Sequence, residues 1–312
     1  MDKGIKTIIK MNIEDIEKYS QKKINKILFD YEVKKNNWFN IGGKAKIYFK
    51  PETLNDLIEF LKLYKNRGKI FVIGAGSNIL FKDGIYEGVV IKLGKNFSRI
   101  SILNKNTIIS GSAILDKKLS EFALLNNIGG FEFLSCIPGT VGGGIRMNSG
   151  CFEKEFKDIL ISVQAIDKHG KILTIPRNKI KFGYRNCDLP KDLIFLSATF
   201  KGNTKNKKLI EKQIVLLKEK KDRAQPSKIK TGGSTFKNPI DQTNKKVWEI
   251  IRESVPLDVK FGDAAISQKH CNFFINKKNA NYDDMKKLIN FVKDKVMAKT
   301  GIRLELEVIL VE

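Results

Sequence analysis

Long hydrophobic runs are missing from this 312-residue chain: no stretch of about 18 or more uncharged apolar residues occurs, so no bilayer-spanning helix is expected. The amino terminus, M-D-K-G-I-K-T-I-I-K-M-N, has neither an extended apolar core nor a small-residue cleavage site, which argues against a secretory signal. Histidine is scarce, with two residues, and the four cysteines, Cys136, Cys151, Cys187 and Cys271, contain no C-x-x-C pair. His270 and Cys271 adjoin each other without companion ligands, so no metal site is expected. The lack of a disulfide-like spacing fits a reducing cytoplasm. Acidic residues are also short: 34 against 58 Lys and Arg, a net charge of +24. That balance raises nucleic acid as a partner, but the lysines are scattered, are not interleaved with aromatics and accompany no nucleic-acid-binding signature. They read as solvated, with a positive field suited to recruiting anionic small molecules. No membrane, nucleic-acid or obligatory protein partner is indicated.

What is present is globular: 42% hydrophobic and 9% aromatic residues, in a length that buries roughly three quarters of its unfolded surface. The most informative stretch is Ile137 to Gly150, I-P-G-T-V-G-G-G-I-R-M-N-S-G, with five glycines in fourteen positions. So little side chain implies close backbone approach to a ligand. A second glycine turn, I-G-A-G-S-N-I-L at 73 to 80, follows the apolar run Ile70 to Val72, the strand-then-turn order that presents amides to phosphate. Neither is a P-loop or a G-x-G-x-x-G. Together they suggest a large diphosphate ligand between lobes, held by Gly74, Ala75, Gly76, Ser77 and Asn78 on one side. Ile137, Pro138, Gly139, Thr140, Gly142, Gly143, Asn148 and Gly150 form the other side.

The coarse pattern is α+β. Residues 13 to 29 read as an amphipathic helix, and a second helix starts at Thr53 as its cap and runs until Gly68. Strands are expected at Ile70 to Ile73, Gly88 to Leu93 and Thr107 to Ser110, then a helix from Asp116 to Asn127 closed by Gly129 and Gly130. Strands follow at Ile159 to Ile166, Lys171 to Ile175 and Leu193 to Phe200, with His169 in the intervening turn. Helices are expected near 208 to 222, 245 to 253 and 282 to 298. A final strand, Arg303 to Val311, places Leu304, Leu306, Val308 and Leu310 on one face and Arg303, Glu305 and Glu307 on the other.

Seven segments, in order, carry a resemblance: N-W-F-N-I-G-G-K-A at 37 to 45, the turn at 73 to 80, F-E-F-L-S-C through Gly150 from 131, F-G-Y-R at 182 to 185, G-G-S-T-F-K-N-P at 232 to 239, A-A-I-S-Q-K-H-C-N-F-F-I-N at 264 to 276, and L-E-L-E-V at 304 to 308. Over roughly residues 35 to 312 the chain closely resembles the UDP-N-acetylenolpyruvoylglucosamine reductases of bacterial peptidoglycan synthesis. The resemblance implies a vanillyl-alcohol-oxidase-type FAD-binding fold of two α+β subdomains plus a C-terminal α+β substrate-binding domain. Residues 1–34 are then an N-terminal helical extension and 35–200 the FAD-binding domain, split near 95. Residues 201–300 form the substrate-binding domain and 301–312 a strand carrying the catalytic acid. The implied cofactors are non-covalent FAD and NADPH as hydride donor.

Reducing an enol ether conjugated to a carboxylate requires hydride at the terminal carbon, stabilisation of the enolate and a proton at the neighbouring carbon. By position in the family motifs, Arg185 clamps the carboxylate, Ser234 donates the proton and Glu307 is the catalytic acid, with Glu305 as the fallback. Tyr184, Lys237, Asn238, Ser267, His270 and Asn276 carry over as substrate-side or supporting residues. The stretch between Arg185 and Leu193 is too short for an inserted lid loop, so the short-loop subclass is assigned. Cys136 and Cys151 stand where many relatives have small residues and read as small and buried, with oxidation near FAD as the alternative. Gly144 replaces a common Ala. Two other readings remain: an oxidase or dehydrogenase of the same flavin fold acting on a free sugar or alcohol, and a basic nucleic-acid-binding protein.

Overall fold

The computed structural model describes residues 13–22, 26–65 and 67–312. In the first lobe, helix α1 (Ile13–Lys22) buries Ile16 completely against Leu57, Phe60, Leu61 and Tyr64. The helix expected over 13 to 29 ends there, because Ile27–Glu32 is a strand, antiparallel to Lys44–Phe49. Its Ile, Leu, Phe and Tyr residues fit a pleated surface better than a helical one. Lys44–Phe49 also pairs in parallel with Ile85–Ile91, which pairs in parallel with Lys69–Val72.

Helix α2 (Leu54–Tyr64) covers this sheet. Thr53 Oγ1 accepts from the Asp56 amide at 3.1 Å while Asp56 Oδ2 accepts from the Thr53 amide at 3.0 Å, a reciprocal cap. The helix stops before the expected Gly68, because Lys65 turns left-handed at φ 49°. Gly68 instead makes room for Tyr64, whose Oη would lie 2.6 Å from a Cβ there.

The second lobe is a five-stranded antiparallel sheet, in the order Ile172–Pro176, Leu160–Ile166, Ile194–Lys201, Thr107–Gly111, Ile100–Asn104. Helices α3 (Asp116–Leu125) and α4 (Val141–Arg146) supply Leu119, Val141 and Ile145 to its core beside Phe156 and Phe200. α3 ends short of Asn127, which has turned left-handed at φ 57°. The long helix α5 (Lys207–Ala224) packs on α3 and on the 3-10 helix Glu132–Cys136, so it belongs by contact to this lobe.

The third unit joins α6 (Val247–Ser254) and α7 (Tyr282–Thr300) to a four-stranded antiparallel sheet, Thr231–Ser234, Phe273–Asn276, Ala264–Ile266, Lys260–Phe261. Its core includes Phe39, Ile41 and Leu80 from the first lobe. The continuous strand expected over 303 to 311 does not form. Only Ile309–Val311 is a strand, parallel to Ile79–Phe81, and Leu306 makes a single bridge to Phe236. The amides of Glu307 and Val308 both point at the Thr235 carbonyl, at 2.9 and 3.4 Å, which breaks the alternation. Glu305 and Glu307 therefore do not share an environment.

Candidate active site

The two glycine turns meet. A Cβ on Gly74 would lie 2.3 Å from Thr140 Oγ1, so the close packing of these segments depends on its absence. Gly76, at φ +69°, accepts from the Trp38 amide at 2.9 Å, and a Cβ there would sit 2.0 Å from the Asn36 carbonyl. Asn37 locks that approach by donating from Nδ2 to the carbonyls of Val33 and Ile41, at 3.2 and 2.8 Å. Across the cleft, Gly142 donates to the Ser112 carbonyl at 2.8 Å, and Gly144 leaves the space that the Phe156 ring fills. Pro138 and Gly143 are exposed, while Ala75, Ser77, Ile137 and Gly139 are half-buried. Bare backbone on both walls fits an extended diphosphate cofactor such as FAD.

Several residues expected at the cofactor are occupied within the protein. Asn148, fully buried at φ 41°, donates to Glu155 Oε2 and the Gly183 carbonyl at 3.0 and 3.1 Å and accepts from the Lys157 amide at 3.1 Å. It ties the glycine segment to F-G-Y-R. Asn78 donates to the Glu307 carbonyl at 2.9 Å and accepts from the Ile309 amide at 3.0 Å, linking the first turn to the chain end.

Phe182–Gly183 and Asn186–Cys187 form a hairpin, with Tyr184 and Arg185 as its two-residue turn and no inserted lid. Arg185 takes φ 53°, a left-handed conformation that costs an arginine about 1 kcal/mol or more. That turn delivers Nε to Glu307 Oε1 at 2.9 Å and Nη2 to the Gly150 carbonyl at 3.2 Å. Nη1 lies 4.0 Å from Glu155 Oε1, and the guanidinium stacks 4.9 Å from the Tyr184 ring centre. Burial pushes the Glu307 carboxyl above its ordinary range, with Arg185 and Lys237 acting in opposition. Burial works most strongly against the Arg185 charge, but Glu307, Tyr184 and Glu155 together outweigh it and the guanidinium is raised. Glu305, by contrast, is 70% exposed and faces Lys237 Nζ at 3.4 Å.

Ser234 ends its strand opposite Phe273, half-buried, and its hydroxyl bonds no group among the described residues. Gly233, at φ +78°, faces open space, and Gly232 is bare because Phe39 lies where its Cβ would be, 2.2 Å away. The carbonyl of the next residue, Thr235, accepts the Glu307 amide, so the strand end that carries Ser234 runs beside the chain at Glu307. Asn238 Nδ2 donates to Tyr184 Oη at 3.2 Å, and Lys237 adjoins them.

Ser267 and His270 lie around Phe273: Ser267 Oγ accepts from the Lys269 amide at 3.3 Å, and the His270 ring packs edge-on to Phe273. Burial lowers the imidazole pKa, and its Nδ1 accepts from the Asn272 amide at 3.3 Å. Asn276 points inward, donating to the Phe39 carbonyl at 2.9 Å and accepting from the Ala280 amide at 2.9 Å. Sequence reasoning missed Glu155, whose position two residues after a hairpin turn carries no signal. It also missed Asp116, an acid in the first turn of a helix, where acids are ordinary. Asp116 is fully buried against Gly139 with neither carboxyl oxygen hydrogen-bonded among the described residues, and burial raises its pKa strongly.

No described helix is long and apolar enough to cross a membrane. Residues 45–176 match the FAD binding domain family, and residues 225–311 the C-terminal domain of UDP-N-acetylenolpyruvoylglucosamine reductase. A UDP-N-acetylenolpyruvoylglucosamine reductase of Pelagibacter ubique is 64% identical over 96% of this chain and 99% of its own length. One from Rickettsia bellii is 45% identical over 89% of this chain and 91% of its own. The crystal structure of the Thermus caldophilus enzyme superposes with a TM-score of 0.78 at 26% identity, covering 92% of this chain and 98% of that one. At this identity and coverage, the chain belongs to the UDP-N-acetylenolpyruvoylglucosamine reductase family.

Proposed function

We propose that this chain reduces UDP-N-acetylglucosamine-enolpyruvate to UDP-N-acetylmuramate in the cytoplasm, with NADPH as the reductant. The observation that carries the reading is the half-buried Arg185–Glu307 ion pair at 2.9 Å, whose glutamate donates its amide to the carbonyl of Thr235, the residue after Ser234. FAD, when bound between the glycine walls, supplies the relay of hydride from NADPH to the enolpyruvyl group.

The chain's own residues do the rest. Arg185 presents its remaining N–H groups to the substrate carboxylate, where charge accumulates as the double bond is reduced. Ser234 places its proton at the carbon next to that carboxylate; an alcohol is a weak acid, so it acts only on a strongly basic enolate within hydrogen-bond reach. Glu307 fixes the guanidinium, and a carboxyl raised by burial is suited to hold or pass a proton. Tyr184, Lys237 and Asn238 line the substrate side, where a cation and an amide suit a sugar nucleotide diphosphate. In this assignment the first two lobes hold FAD and the third holds the UDP-sugar.

Ser234→Ala tests the division of labour. NADPH should still bleach the flavin absorbance at the wild-type rate, while its recovery on adding the enolpyruvyl sugar slows by about 10²- to 10⁴-fold. Recovery at the wild-type rate would remove Ser234 from the chemistry.

A further inference from the structure

We propose that Cys136 and Cys151 form a dithiol that a hydroperoxide oxidises reversibly to a disulfide across the base of the glycine-rich segment. They are the residues immediately before and after Ile137 to Gly150, so the bond would close that segment into a loop. Cys136 ends the 3-10 helix Glu132–Cys136, and Cys151 lies in the short strand Gly150–Cys151 packed against it. Cys151 Sγ donates to the Phe133 carbonyl at 3.2 Å. Phe133 sits one 3-10 turn before Cys136, and its carbonyl points along the helix axis toward Cys136, so the Cys151 thiol lies at the end of the helix that carries Cys136.

Both thiols are free, and each shifts the other's titration. Lys221 Nζ donates to the Cys136 carbonyl at 2.8 Å, and Lys218 adds a second cation nearby. The neighbouring Cys151 thiol, with Ser135 and these lysines, outweighs burial and draws the Cys136 thiol down to about 6, while Cys151 is pushed up. One sulfur is thus held as the thiolate nucleophile and the other as its protonated partner. Cys187 and Cys271 are buried with raised thiols and serve as internal controls.

The chemistry balances without further reagents. The Cys136 thiolate attacks one oxygen of hydrogen peroxide and breaks the O–O bond, giving a sulfenic acid and hydroxide, which takes up a proton to become water; an organic hydroperoxide would release its alcohol instead. Cys151, losing its proton, attacks the sulfenyl sulfur and displaces the second water. Two electrons pass from the sulfur pair to the O–O bond. The proposal does not depend on the reduction reaction, since its readout is covalent.

The test treats the full-length, FAD-loaded protein with hydrogen peroxide at pH 7, then counts thiols after denaturation and maps peptides without reduction. Free thiols should fall from four to two, with the Cys136 and Cys151 peptides joined, and dithiothreitol should restore all four. In C151S, a dimedone adduct should accumulate on Cys136. In C136S, oxidation of Cys151 should slow by about tenfold or more. Four surviving thiols, single-cysteine oxidation without a linked peptide, a link through Cys187 or Cys271, or equal rates in urea would each overturn the proposal.

Discussion

Two glutamates two residues apart behave differently because one is buried against a cation and the other is not. Glu307 meets Arg185 at 2.9 Å with a 16% exposed side chain; Glu305 is 70% exposed on Lys237. Glu307→Gln should lower kcat/KM by at least about 100-fold, and Glu305→Gln should leave stability within about 0.5 kcal/mol and activity unchanged, checked by NADPH oxidation and urea unfolding. Alternation could not separate them, because it treats residues 303 to 308 as a regular ladder. The distinction arises from two amides sharing the Thr235 carbonyl.

Asp116 yields a second residue-scale prediction. Its folded pKa lies well above 3.8, so above that pH the folded chain keeps a proton that the unfolded chain has lost. Stability therefore falls as pH rises through this window, by up to about 1.4 kcal/mol per unit. Asp116→Asn should flatten that fall when urea unfolding is followed from the ordinary carboxylate range upward in pH. Equal slopes in the two proteins would show that Asp116 ionises normally.

Among the elements, those legible in sequence carry their own start signals. Thr53 with Asp56, and Asn281 with Asp284, form reciprocal caps on α2 and α7. Thr53→Ala should cost about 1 kcal/mol in thermal or urea unfolding without changing the flavin spectrum. Illegible elements depend on partners far away in the chain: Ile27–Glu32 is a strand because Lys44–Phe49 pairs with it, and Ile309–Val311 because Ile79–Phe81 does. Left-handed residues such as Lys65 and Asn127 likewise end helices before the glycines that seemed to mark their ends. The glycine turns were visible as bare backbone, yet their mutual contact was not. Gly74→Ala should push its Cβ against Thr140 and weaken FAD retention while far-UV circular dichroism stays unchanged.

At the scale of the molecule, the lobes share core residues and hydrogen bonds. Phe39 and Leu80 of the first lobe enter the core of the third, and Asn148 and Gly150 join the second lobe to the turn carrying Arg185. Arg185, Ser234 and Glu307 are separated by up to 122 residues, and each was identifiable only through a short motif. Their assembly depends on the chain end returning beside Asn78. FAD bound between the glycine walls should pass reducing equivalents to an enolpyruvyl sugar. The most direct measurement is anaerobic absorbance of the purified protein. The protein should be yellow, bleached by NADPH and restored by UDP-N-acetylglucosamine-enolpyruvate, with one equivalent of product per flavin. A colourless protein that FAD cannot reconstitute, or a bleached flavin that this substrate leaves unchanged, would contradict it.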